Sequence, residues 1–370
     1  MVLNQPYVPH RRGLFFMLFW VNYYFVYMTV FSILFAGPLG TGVGFSIVSS
    51  LWFQMFFQIT ILLLPLAIWL AIFREKINEH LPHMRLGKTN LLYIVGLSIF
   101  IQPLFMVVAF AVNLVFPNET GEFVMQQANY PLWVMILVIA VTPAICEEVV
   151  FRGYIQSSFR NKTFWTMALM NGLFFGIMHF NAHQFFHTFL AGIFWAYMVY
   201  ATRSIRAGVI SHFIMNASQV SFIWFAIRLP IWLENLLDMT DEYELGIDYI
   251  LDAVYDIDPV DPELLAAMIP VFIMFGLIAT GSTIVAILLL RGFDAHNKKR
   301  VAEYEAKIAA ESAEREDAEI EIKEAEITPE PEITPESSLK EKRKNLAIDV
   351  TIILAIVAVY VFIVFGIPLL

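Results

Sequence analysis

A single cysteine, Cys146, stands in 370 residues, which excludes both an intrachain disulfide framework and a multi-cysteine zinc site. Charge is scarce as well: only 15% of the residues are Asp, Glu, Lys or Arg. There is no glycine-rich phosphate loop, and the basic residues are confined to short clusters beside apolar runs, so neither nucleotide nor nucleic-acid binding is indicated. The net charge of −10 says little about partners, because most acids fall in two stretches, around 234–263 and 294–341. A cleavable leader is not expected either. The first apolar run, about Leu14 to Ala36, is long enough to span and has no clean small-residue cleavage site, so it reads as a retained helix.

What the chain has in abundance is apolar surface: 59% hydrophobic residues and a mean hydropathy of +0.68. A soluble protein cannot hide that much, whereas a membrane protein leaves it facing lipid. Runs of ~20 apolar residues place spans near 13–36, 45–73, 90–116, 131–158, 163–182, 184–202, 205–228, 264–290 and 346–368. Arg11 and Arg12 precede the first span, and the short basic loops "REKINEHLPHMRLGK", "RNK", "RSIR" and "RGFDAHNKKR" all fall on its side. The expected fold is an all-α, polytopic membrane helical bundle of about nine transmembrane helices, with a cytoplasmic N-terminus. Residues 1–293 form the bundle and 294–345 a charged cytoplasmic helix with a disordered "ITPEPEITPESS" linker. Residues 346–370 form a final transmembrane helix. The acidic outer loop suits an interfacial or extracellular helix, and "NET" at 118–120 fits an outward-facing glycosylation pattern.

Ionisable groups inside such spans mark pathways or reaction sites. In "CEEVVFRG", Glu148 and Arg152 are four residues apart and share a helix face, so they can pair. Glu147, rotated ~100° from Glu148, is left in apolar surroundings without a local partner. Desolvation disfavours its charged form, which suits it to take up a proton near neutral pH. Pro143, four residues earlier, interrupts the helix and frees a carbonyl. The plainer reading makes the three charges a structural clamp.

In "FFGIMHFNAHQFFH", Phe175 and His179 share a face, as do His179, His183 and His187 if the helix is continuous. A turn is expected at Asn181, and interfacial positions near the outer surface account equally for His183 and His187. In "HFIMN", His212 and Asn216 share a face and can both donate to one oxygen; interhelical hydrogen bonding is the alternative.

Taken together, "EEVVFR", "FGIMH" and "HFIMN" match Glu-Glu-x-x-x-Arg, Phe-x-x-x-His and His-x-x-x-Asn in order on successive spans. The region 131–228 thereby resembles the CPBP family of intramembrane proteases, which includes the CAAX prenyl endopeptidases and the bacterial Abi-type proteins. The resemblance implies that Glu147 and His179 activate a water and that His212 and Asn216 hold the oxyanion. Glu148, Arg152 and Phe175 would be supporting residues. It also implies a membrane peptide or lipid-modified protein as substrate, within the lipid bilayer. Family members are described both with and without a metal. The metal-free form is preferred here, with zinc on Glu147, His179 and His212 as the alternative.

The function expected is an intramembrane endopeptidase of the cell membrane. Two other readings stay open: a non-catalytic peptide-binding protein (bacteriocin immunity or sensor partner), and a transporter, against which no inverted repeat is visible. By helical rise, Glu147 and His212 fall in the inner half of the bilayer and His179 nearer the outer side. Tilt, a later helix start or a re-entrant segment must reconcile their depths.

Overall fold

The computed structural model describes residues 10–36, 50–116, 118–237, 262–323 and 351–358. These residues are helical, with no strand among them beyond one isolated bridge between His83 and Ser204. In chain order the helices are α1 (His10–Ala36), α2 (Leu51–Phe73), α3 (Lys88–Asn113) and the short α4 (Glu119–Gln126). Then come α5 (Leu132–Ser158), α6 (Phe164–Met178), α7 (Ala182–Thr202), α8 (Ile205–Leu237) and α9 (Pro262–Lys323).

Seven of them are long and apolar enough to cross a membrane, so the chain is an integral, multi-pass membrane protein. The seven do not include α6, whose 15 residues rise only about 22 Å at 1.5 Å each, short of the ~30 Å hydrocarbon core. The expected span at 163–182 is thus a shorter helix followed by a turn. Of the last expected span, only 351–358 is described, as helix. Of the acidic loop only 234–237 and 262–263 are described, as the ends of helices, and the Thr-Pro-Glu linker lies outside the described residues.

Helix α5 is the hub: 67% of its apolar window is buried, against 44% for α7 and 28% or less for the other spans. Large apolar side chains elsewhere point outwards, among them Leu92, Ile33, Leu277 and Leu288, as lipid contact requires. α1 and α2 pack on one flank of α5; the Trp20 indole donates to the Ile61 carbonyl at 2.8 Å, and that of Trp69 to the Tyr154 hydroxyl at 2.5 Å. α6 and α7 form a tight antiparallel hairpin. Gly172 and Gly192 meet there so closely that a Cβ on Gly192 would sit 2.7 Å from the Gly172 Cα. α8 crosses α5 on its far side, and α9 lies outermost against α3, where Ser282 donates to the Phe100 carbonyl at 2.6 Å.

α9 continues unbroken from the apolar span into the charged arm. The first turn of that arm is docked: Asn297 is buried, and Arg300 donates to the carbonyls of Arg85 and Thr202. Arg12, Arg160, Arg203 and Arg300 therefore gather at one end of the bundle. There Arg12 pairs with Glu75, and Glu75 faces His80 Nε2 at 3.2 Å. The other ring nitrogen of His80 lies 2.9 Å from the Ser157 hydroxyl, linking the α2–α3 loop to the foot of α5.

Burial pushes the His80 pKa below its ordinary value, against the opposing pull of Glu75. A histidine titrating lower in the folded state than in the unfolded one stabilises the fold above the unfolded pKa of ~6.5 and loses that contribution as pH falls through the folded value. Thermal unfolding in detergent should therefore show a midpoint that drops as pH is lowered from ~6.5. His80→Gln should flatten that drop, and an unchanged pH dependence in the variant would contradict the assignment.

Candidate active site

Helix α5 is irregular around the two glutamates. A π-turn at Leu137–Val141 precedes the α-helical Thr142–Glu148, and a second π-segment runs over Val149–Ile155. Such insertions favour functional stretches because they re-aim side chains and leave backbone groups free. Pro143 has no N–H for the carbonyl of Ile139, four residues before it. That carbonyl instead accepts the Asn216 amide of α8 at 3.2 Å. The interruption expected at Pro143 is present, and it determines where Asn216 points.

Glu148 and Arg152 pair as the i,i+4 spacing requires, Nη1 to Oε1 at 2.9 Å, both side chains completely buried. Arg152 is held from other helices as well. Its guanidinium lies 4.4 Å from the centroid of Phe175 and 5.1 Å from that of Trp195, and Nη2 donates to the Gly192 carbonyl at 3.3 Å. His212 enters from α8 beside Gly208, where a Cβ would collide with the Glu148 carboxylate. Its imidazole stacks on the Trp195 indole (centroids 3.9 Å apart, planes 15° apart).

His212 Nδ1 lies 3.1 Å from Glu148 Oε1, and Nε2 faces Glu147 Oε2 at 3.7 Å. An ionised carboxylate only accepts, so Nδ1 carries the proton in this contact and Nε2 is left toward Glu147. Glu147 does have a partner that sequence spacing did not reveal: the Gln58 amide of α2 donates to its Oε1 at 2.9 Å.

His179 ends α6. Its Nδ1 lies 2.8 Å from the Phe175 carbonyl, which fixes the proton there and leaves Nε2 with a lone pair. Phe175 packs edge-on against both histidines, at 5.1 Å from His179 and 6.0 Å from His212. The next residue, Phe180, adopts a left-handed backbone conformation with φ 45°, which costs about 1–2 kcal/mol. Its ring stacks on Tyr24 at 4.2 Å and Trp20 at 5.8 Å, both on α1. Asn181 then caps α7, accepting from the Gln184 amide at 2.9 Å. The chain turns at Phe180 before α6 completes a crossing, and His179 packs on Phe175 within the bundle.

The structure therefore joins Glu147, Glu148, Arg152, Phe175 and His212 in one contact set. His179 is attached through Phe175, and Asn216 lies one helical turn beyond His212, bonded to Ile139. His183 and His187 pack on each other with ring centroids 5.8 Å apart. The helix break at 180–181 separates them from His179, and His183 is buried. Among the described residues no three His, Cys, Asp or Glu side chains are grouped to hold a metal ion. Sequence reading passed over Gln58, Trp195 and Gly208; of these, only Gln58, an amide in an apolar span, carried a signal.

Residues 129–218 match the family model described as type II CAAX prenyl endopeptidase Rce1-like, so this segment is similar to the CAAX protease family. The matched segment contains α5 to α7 and the first half of α8, and therefore all three motifs; α1, α2, α3 and α9 fall outside it. No curated protein and no solved structure matches the chain.

Removing one partner of a buried ion pair strands the other charge, at a cost of about 3–5 kcal/mol. Arg152→Met should accordingly unfold at a markedly lower temperature in detergent, or fail to accumulate. The double variant Arg152→Met/Glu148→Gln should recover much of that loss. Equal instability of the single and double variants would show that packing on Phe175 and Trp195, rather than charge pairing, dominates.

Proposed function

We propose, from the match of residues 129–218 to the type II CAAX prenyl endopeptidase family model, that this protein is an intramembrane endopeptidase of the cell membrane that hydrolyses a peptide bond near a lipid-modified end of its substrate. The observation that carries the reading is the environment of Glu147: a buried carboxylate that, among the described residues, forms no ion pair with a lysine or arginine and is turned toward the Nε2 of a histidine. A water lodged against that edge meets two proton acceptors at once, Oε2 of Glu147 and Nε2 of His212.

In this reading Glu147 takes the proton of the attacking water, and the oxygen adds to the scissile carbonyl. Glu147 passes that proton to His212 Nε2, which then donates to the developing oxyanion and releases the proton with the product. The histidine's position between Glu147 and Glu148 favours the resulting positive charge. Asn216 Nδ2 has two N–H groups; one goes to Ile139, and the second remains for the oxyanion. The Nε2 lone pair of His179 accepts a proton from the water and returns it to the leaving amine. Glu148, Arg152 and Phe175 hold His212 and His179 in register. The surrounding bundle excludes bulk water, which strengthens each of these interactions.

The test uses the full chain in nanodiscs with a prenylated CAAX-type peptide and its unprenylated counterpart, and mass spectrometry of the released C-terminal fragment. Wild type should cleave the prenylated peptide preferentially. Removing a general base costs about 10²–10⁴-fold, so Glu147→Gln and His212→Ala should each lower kcat at least that far. Cleavage at wild-type rate in Glu147→Gln would overturn the mechanism. Tight peptide binding without cleavage by wild type would favour a non-catalytic binding protein.

A further inference from the structure

The two adjacent glutamates differ in the chemistry of the donor each is given. Glu148 receives a cation, Arg152. Glu147 receives a neutral amide, from Gln58, whose helix α2 lies outside the segment that matches the protease family. Among the described residues, Gln58 makes the one hydrogen bond to Glu147. It engages Oε1 and leaves Oε2 for His212. A cation in this place would favour the ionised form of Glu147 and reduce its tendency to accept a proton. An apolar residue would leave the carboxylate free to rotate and either oxygen able to meet His212. An amide fixes the orientation and leaves the proton-accepting capacity in place.

We propose that Gln58 is a positioning residue for the reaction: it anchors Oε1 of Glu147 so that Oε2 is the oxygen presented to water and to His212. This rests on the reading of Glu147 as the base. It adds that the matched segment is incomplete by itself and that α2 finishes the site. Gln58 keeps its place because α2 is fastened to both neighbours near it. Thr60, two residues on, accepts from the Tyr23 hydroxyl of α1 at its carbonyl (3.3 Å), and Trp69 donates to Tyr154 of α5.

Three variants in the nanodisc assay separate the possibilities. Gln58→Met keeps length and volume and removes the donor. Its kcat should fall about ten- to a hundredfold, the usual range for losing a hydrogen bond to a charged group, with KM within twofold of wild type. Gln58→His restores an N–H at similar reach and should recover most of the rate. Gln58→Glu sets a second carboxylate against the first and should be at least as impaired as Gln58→Met.

Infrared spectroscopy reads the contact without turnover. The carboxyl band lost in Glu147→Gln should shift in Gln58→Met and return toward its wild-type position in Gln58→His. A Gln58→Met rate within twofold of wild type, a proportional rise in KM with kcat unchanged, or an unmoved band would each overturn the proposal. Absence of cleavage by wild type would instead overturn the protease reading and with it the catalytic use of the contact. The band shift would still report whether the contact exists.

Discussion

Everything at the centre of this protein depends on one fully buried guanidinium. Arg152 could not be accommodated at zero exposure in a lipid-facing bundle unless its charge were answered from several directions. Glu148 answers it on the same helix, the Phe175 and Trp195 rings cover it, and the Gly192 carbonyl accepts from it. Glu148 in turn holds His212. Satisfying this single cation therefore fixes the relative positions of α5, α6, α7 and α8. The three motifs of the chain are three sides of one buried contact set, which gives each four-residue spacing a physical meaning.

The irregular features follow from the same requirement. α6 ends after 15 residues, with His179 one turn beyond Phe175 and a left-handed Phe180 directly after it. The strain at Phe180 is compensated by stacking on Trp20 and Tyr24, so α1 contributes to the placement of His179 without entering the motif pattern. Pro143 costs α5 a backbone hydrogen bond, and the carbonyl it frees orients Asn216. Gly208 is small because Glu148 occupies the space its side chain would need. Local cost and site geometry are coupled at each of these positions.

The contrast between Glu147 and Glu148 shows how adjacent identical residues come to differ. On a helix they point about 100° apart, one toward the buried cation and the other toward α2 and the open edge of His212. The pair thus divides into one carboxylate held by Arg152 and one turned to Gln58 and His212, by direction alone.

The sequence by itself determined the membrane class, the positions of most spans, the Glu148–Arg152 pair and the three motifs. All of these rest on composition or on the 3.6-residue period, which are local properties. The turn at Asn181 and the interruption at Pro143 were legible for the same reason. Only the tertiary structure decided that Glu147 is held by Gln58, 89 residues away, and that His212, 64 residues away, faces both glutamates. It also decided that Trp195 lies under His212, that α6 stops short, and that Asn216 bonds to Ile139. Such contacts depend on how far each helix is translated and rotated against its neighbours. No periodicity within one helix records that.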